Sequence, residues 1–309
     1  MEYIHDIMKY ESDRPCVITL GKFDGVHKGH RKLIRKAGAL AAKAGGRSAV
    51  FTFTVSPQVM MGERQMKMIT TNRERDEILR ELGIDLLVEC PFTEELRSMT
   101  PEDFVRELLV GRLHASAVVV GTDARFGKNR AGDAALLVEL GDRYGFEVYV
   151  EEKEKDGDRE ISSSYVRERI AEGDMKRVQN LLSYPYFIAG EVVHGRHLGH
   201  TLGFPTINTV PPAEKMLPPR GVYFTRTLVG GKWYQGISNL GVKPTVDGSQ
   251  VGLETYLFDC SLDLYGQEAR VEFLQFRRSE KKFGSVEELK NQMDEDIQAA
   301  DNFFQPDNS

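Results

Sequence analysis

The chain has 309 residues, 40% of them hydrophobic and 28% charged, with a formal net charge of −6 and three cysteines. That length allows one large or two ordinary domains with a sizeable core, and the acidic balance disfavours a general nucleic-acid binder, which needs a basic face to displace counterions. No apolar run reaches the length of a membrane span, Glu2, His5 and Asp6 break any signal-peptide pattern, and the scattered Cys16, Cys90 and Cys260 suit neither a disulfide framework nor a metal knuckle. A cytoplasmic protein is expected, without nucleic-acid, membrane or obligatory protein partner.

The stretch Val17 to His30, VITLGKFDGVHKGH, carries the first chemistry. Strand-forming Val17 to Leu20 run into Gly21, the turn passes Asp24-Gly25, and His27 and His30 bracket Gly29 where a helical pattern begins. A helix N-terminus presents unpaired N–H groups and the positive end of its dipole, and glycines let a phosphate approach the backbone. Either histidine alone would be an ordinary surface or satisfied residue. Both together, directly after a strand, point to phosphate chemistry, with imidazoles steadying charge on a leaving pyrophosphate.

The string GKFDGVHKGH resembles the signature of the nucleotidyltransferase superfamily, in the version carried by bacterial bifunctional riboflavin kinase/FAD synthetases. The resemblance implies a Rossmann-like parallel sheet, catalytic His27 and His30, and nucleotide contacts from Gly21, Phe23, Asp24 and Gly29.

Helical spacing of Leu33, Ile34, Ala37, Leu40, Ala41 and Ala44 ends at Gly45-Gly46. A strand is then expected at Ser48 to Phe53, a helix at Arg73 to Leu82, a strand at Asp85 to Val88, a helix at Pro101 to Arg112, a strand at Ala117 to Val120, a helix at Ala134 to Tyr144 and a strand at Glu147 to Val150. Such alternation implies a parallel sheet covered by helices, with ligands at the carboxyl ends of its strands. The loop GTDARFGKNRAGD from Gly121 reaches that edge. It is not a P-loop, because its glycine spacing is wrong and Lys128 is followed by Asn129. By resemblance Asp123, Arg125, Phe126 and Gly127 hold the nucleotide there.

Ile161 to Arg167, ISSSYVR, reads locally as N-capping serines before a helix. It resembles the family's I-S-S-[ST]-x-x-R segment, which implies phosphate contacts from Ser164 and Arg167, three residues apart on one helix side. Two departures stand out. Ser56 occupies the place of a usual histidine in Phe53-Thr54-Val55-Ser56-Pro57, and Ala124 replaces a usual aromatic. They leave open a working kinase joined to a weakened or silent adenylyltransferase.

Near Tyr184-Pro185-Tyr186 the texture turns to short alternating runs between Gly, Pro and Asn, as expected of an antiparallel β-barrel or sandwich. The domains are therefore read as 1–183 and 184–309. Strands are expected at Phe187 to Val193, Gly221 to Leu228, Trp233 to Ile237, Gly252 to Phe258 and Ala269 to Phe276. In GEVVHGRHLGHTLGFPTIN, from Gly190, the glycines Gly195, Gly199 and Gly203 allow backbone N–H groups to curl round an anion, and Thr206 and Asn208 offer oxygens suited to Mg²⁺. His194, His197 and His200 recur every third residue, but a loop gives that spacing no fixed face, and no cysteine or carboxylate completes a zinc set.

This segment resembles the riboflavin kinase domain, whose P-T-x-N motif binds the metal. The resemblance further implies that Glu254 is the general base, that Asn239, Arg278, Glu280 and Phe283 lie near the flavin, and that Arg278 to Phe283 form a flap. Ser285 and Glu288 read as a capping box opening a long C-terminal helix, whose stripe Val286, Leu289, Met293, Ile297 and Ala300 is expected to pack on the barrel, with Pro306 closing the chain. The reading is a bifunctional enzyme that phosphorylates riboflavin to FMN and adenylylates FMN to FAD, with ATP as co-substrate and Mg²⁺. A non-enzymatic flavin sensor predicts a missing Glu254 or Asn208, and both are present.

Overall fold

The computed structural model describes residues 1–54, 66–194, 204–245, 248–260 and 262–305, with backbone alone at 243–245 and 248–250. Ser56, Gly195, His197, Gly199, His200, Gly203 and Pro306 therefore lie outside the described residues. The chain separates into two compact units, Met1–Ser163 and Ser164–Ser309. The change of texture read at Tyr184 falls inside the second.

The first unit is built on six strands, β1 (Glu2–Ile4), β2 (Cys16–Leu20), β3 (Arg47–Phe53), β4 (Leu86–Cys90), β5 (Ala115–Gly121) and β6 (Glu147–Glu151). They form one sheet in the order β1-β4-β3-β2-β5-β6, and every pairing is parallel. Its middle strands read as near-continuous apolar runs because both faces are covered. Cys16 and Ile18 of β2 enter one core with Leu86, Val88, Val118 and Val120, while Val17 enters a second with Ala117, Val119, Ala37 and Ala41. From β2 the chain winds one way to β3 and β4, then returns to β5 on the other side of β2. The crevice outside the carboxyl ends of β2 and β5 is the switch point where ligands bind in such sheets.

The helices of this unit are α1 (Lys28–Ala44), α2 (Asn72–Glu81), α3 (Glu94–Ser98), α4 (Pro101–Asp103) and α5 (Ala134–Tyr144). α1 starts earlier than its apolar stripe, with His27 as N-cap, and ends at left-handed Gly45 (φ 66°). The helix expected at Pro101 to Arg112 is one α-turn that widens into a π-helix over Phe104–Val110. Gly111 N–H reaches back to the Arg106 carbonyl, and the wide turn buries Phe104, Val105, Leu108 and Leu109 together. Edge strand β1, short α3 and the hairpin β7 (Lys155–Asp156) with β8 (Arg159–Glu160) were not expected. They are too short for periodicity to register.

The second unit opens with α6 (Ser163–Glu172), whose first residue still belongs to the first unit, and α7 (Met175–Leu182). Its strands β9 (Tyr186–Val193), β10 (Thr206–Thr209), β11 (Gly221–Val229), β12 (Lys232–Thr245), β13 (Gly248–Leu257) and β14 (Glu268–Ser279) close into an antiparallel barrel in the order β10-β13-β12-β11-β14-β9. Closure removes the free edges. The buried interior alternates with an outer face along each strand. Tyr186, Tyr223 and Phe273 fill the interior, and buried Thr225, Ser238 and Thr255 satisfy one another through hydroxyl bonds of 2.8 and 2.7 Å.

The final helix, α8 (Val286–Phe304), lies on the outer face, where Phe303 meets Phe224 at 5.1 Å. Ser285 caps it as expected, but the Glu288 carboxylate accepts from Gly284 N–H rather than from Ser285, so the box is closed one residue early.

Candidate active sites

In the first unit, β2 delivers a loop that three left-handed residues bend tightly: Phe23 (φ 50°), Gly25 (φ 81°) and Val26 (φ 37°). Positive φ at two side-chain-bearing residues costs energy and persists only where the surroundings hold it. Asp24 Oδ1 accepts from the Ile69 and Thr70 N–H groups at 2.9 and 3.2 Å, and Gly25 N–H donates to Thr70 Oγ1 at 3.0 Å. The Ser163 hydroxyl donates to the Asp24 carbonyl at 2.9 Å. Phe23 is fully buried and sets its ring edge-on to His30 at 5.2 Å. Asp24 and Phe23 thus shape the loop from beneath.

His27, 6% exposed, is the N-cap of α1, its Nδ1 accepting from His30 N–H. A neutral imidazole that accepts at Nδ1 carries its hydrogen at Nε2, the atom left to donate to a ligand. The His27 and His30 rings stack 3.7 Å apart at 17°. Burial pushes His27 down to about 4, partly opposed by the Asp123 carboxylate, and burial with His27 as neighbour holds His30 well below the usual imidazole value. His30 Nδ1 is buried with no hydrogen-bond partner among the described residues. A Cβ on Gly29 would sit 3.3 Å from the His27 ring, so the absent side chain makes room for the stack.

The loop after β5 reaches the same crevice. Gly121 leaves space for Asp123, whose exposed carboxylate pairs with Lys153 at 3.2 Å; Lys153 also holds Glu160 at 2.9 Å. Arg125 pairs with Asp133, the N-cap of α5, at 3.3 Å. Phe126 and Ala124 pack into the sheet core, and a two-way backbone bridge from Phe126 to Gly132 closes the loop. Phe126 is an anchor in this arrangement. Ser164 and Arg167 lie in the opening turns of α6, in the second unit. Lys153 was not legible in the sequence, since nothing in its acidic segment distinguishes it from a solvated lysine.

On the outer face of the barrel, one rung crosses five strands: Asn208 pairs with Glu254, Glu254 with Asn239, Asn239 with Val222 and Val222 with Arg278. Directly opposed residues share a face, so residues spread over seventy positions are brought side by side. Thr206 Oγ1 donates to Glu254 Oε1 at 2.8 Å. Glu254, Asn239, Val222 and Arg278 of the rung, with Thr206, floor a cleft of about 250 Å³ lined also by Tyr256, Glu280, Phe283 and, from α8, Leu289, Met293, Asp296 and Ile297. A Cβ at Gly241 would overlap Glu280 Oε1, so the glycine admits that carboxylate.

The α8 stripe differs from its expectation. Leu289, Met293 and Ile297 form a cleft wall, Ala300 alone of the five is fully buried, and Val286 is 66% exposed. Helical spacing cannot tell a core from a ligand wall, because both need an apolar face. Strand β10, too short and too polar to announce itself, was missed as a strand although its Thr206 and Asn208 were singled out. Asp296 was missed because a single aspartate on a helix reads as solvated.

The donor set suits Mg²⁺. The Thr206 hydroxyl gives its hydrogen to Glu254 and keeps lone pairs for a cation, and Asn208 adds a carboxamide on the same rung.

Comparison with known proteins agrees with both halves. The family model described as FAD synthetase matches residues 9–165, and that described as riboflavin kinase matches residues 182–304. The bifunctional riboflavin kinase/FMN adenylyltransferase of Escherichia coli K12 is 37% identical over 291 residues, covering 94% of this chain and 93% of its own. That of Bacillus subtilis is 35% identical over 306 residues, covering 97% and 96%. A crystal structure described as a macrolide-efflux protein from Streptococcus pneumoniae superposes with TM-score 0.87 at 30% identity over 97% of this chain and 98% of that one. Among the described residues here, no helix is long and apolar enough to cross a membrane.

Proposed function

The chain belongs to the family of bifunctional riboflavin kinase/FMN adenylyltransferases, and from that premise we propose how its residues divide the work. It phosphorylates riboflavin to FMN and transfers AMP from ATP to FMN, giving FAD and pyrophosphate. We assign adenylyl transfer to residues 1–183 and the kinase to residues 184–309.

In the kinase, Glu254 takes the proton from the riboflavin 5′-hydroxyl as that oxygen attacks the γ-phosphorus of ATP and ADP leaves. Thr206 and Asn208 hold Mg²⁺, which when bound neutralises phosphate charge. Gly195, Gly199 and Gly203 cradle the phosphates, and Asn239, Arg278, Glu280 and Phe283 surround the flavin. In the adenylyltransferase, an FMN phosphate oxygen attacks the α-phosphorus and pyrophosphate departs. His27 and His30 donate to the phosphates as negative charge moves onto the leaving group. Gly21 and Gly29 admit the phosphates, Asp123 and Arg125 face the nucleoside side, and Ser164 and Arg167 contact phosphate. Asp24, Phe23 and Phe126 act by shaping the two loops.

The observation that carries this reading is that each motif's residues converge: a stacked histidine pair at the sheet's switch point, and Thr206 bonded to Glu254, which pairs with Asn208 on one barrel rung. Incubating the purified protein with riboflavin, ATP and Mg²⁺ should yield FMN and then FAD on chromatography, and excess EDTA should abolish both. Formation of FMN without FAD would defeat the adenylyl half, and product formation unaffected by EDTA would defeat the metal assignment.

A further inference from the structure

Asp296 is the one charged side chain that α8 contributes to the cleft among the described residues, and it is 2% exposed. Its Oδ2 accepts from Nε of Arg278 at 2.9 Å and lies 2.8 Å from Nη2 of the same guanidinium, and its Oδ1 accepts from Nε of Arg277 at 3.4 Å. Neighbouring residues on a strand ordinarily point to opposite faces. Here β14 carries a bulge: Val222 pairs with Arg278 and Tyr223 with Phe276, so Arg277 is the extra residue and both guanidinium groups reach one carboxylate. Gly221 (φ 149°) lies against the bulge, where any Cβ would overlap the Arg278 carbonyl.

This clamp takes one whole edge of the Arg278 fork. Nη1 donates to the Ser279 carbonyl at 3.2 Å, and the Phe283 ring centroid lies 6.0 Å from the guanidinium carbon. Nη1 and Nη2 each keep one N–H beyond these contacts, on a side chain that lines the cleft. Two guanidinium groups on one buried carboxylate also leave a surplus positive charge. Without that carboxylate they would repel each other and swing towards water.

We infer that Asp296 is a positioning residue of the kinase site: it fixes the Arg278 fork so that its remaining N–H pair meets an oxygen of bound riboflavin. The inference rests on the assignment of Arg278 to the flavin. Asp296 acts through Arg278 and touches no reacting atom.

The test is a double-mutant cycle on the full chain. KM for riboflavin, KM for ATP and kcat of FMN formation are measured for Asp296→Asn, Arg278→Met and the pair, with FAD formation from supplied FMN as a second readout. Asp296→Asn should raise the riboflavin KM about tenfold with kcat within about threefold, as expected for a lost charge-assisted contact outside the chemical step. The pair should be no worse than Arg278→Met alone, because both changes remove one contact. Asp296→Glu should recover part of the loss, and FAD formation from FMN should not change. Should Asp296→Asn unfold at the assay temperature, Asp296→Glu in combination with Arg278→Met carries the same comparison.

An unchanged riboflavin KM in Asp296→Asn, a shift in the ATP KM instead, or additive losses in the pair would overturn the inference while leaving Arg278 as a flavin contact. An unchanged riboflavin KM in Arg278→Met would remove the flavin assignment itself and the inference with it.

Discussion

His27 and His30 stack ring on ring at 3.7 Å, the first capping the helix that carries the second. This pair contributes to the pH dependence of the first unit. In the folded chain His27 titrates at about 4, against 6.5 when exposed, and His30 is shifted the same way. Between those values the unfolded chain binds protons at these histidines that the folded chain excludes, so the stability they contribute is present above pH 6.5 and is lost as pH falls towards 4. His27 alone accounts for a loss on the order of 3 kcal/mol. Denaturant unfolding at pH 7 and pH 4.5 should show a smaller pH difference in His27→Asn/His30→Asn than in the parent. An equal difference would contradict the buried neutral state.

Gly29 separates activity from stability. Alanine there favours helical backbone by up to about 1 kcal/mol, yet its Cβ would lie 3.3 Å from the His27 ring and push it by a few tenths of an ångström. Gly29→Ala should melt no lower than the parent while FAD formation falls about tenfold, since small misplacements of a reacting constellation are costly. FMN formation from riboflavin should stay the same.

Gly241→Ala should act on binding at the other site. The new Cβ meets the flexible end of Glu280, which can swing away at little cost to the fold. Riboflavin KM should rise several-fold with a thermal midpoint within a few degrees of the parent. A large drop in midpoint with unchanged KM would show that the glycine serves the barrel instead.

Much of this architecture is legible in the residues, and the exceptions have physical causes. β2, α1, β3, α5, β9, β11 and β14 announce themselves because each is long enough to show its period, whereas β12 is legible only over Trp233 to Ile237. β1, α3 and β10 are too short to do so. The motif glycines and histidines were legible because strand, turn and helix start are contiguous in sequence. Asp296 and Lys153 were not, because each gains its meaning from a partner far along the chain: the bulge at Arg277 in one case, the loop after β5 in the other. The α8 stripe shows the limit of periodicity, with Met293 and Ile297 facing a cleft where a core was expected.

The proposed assignment of adenylyl transfer to residues 1–183 and of riboflavin phosphorylation to residues 184–309 is tested most directly by one reciprocal assay. Glu254→Gln and His30→Asn are each supplied separately with riboflavin and with FMN, in the presence of ATP and Mg²⁺. Glu254→Gln should form FMN at least about a hundredfold more slowly, the usual worth of a general base, and still convert supplied FMN to FAD at the parent rate. His30→Asn should form FMN at the parent rate and lose FAD formation. A variant that loses both reactions together, or keeps both, would contradict the assignment of the two chemistries to separate sites.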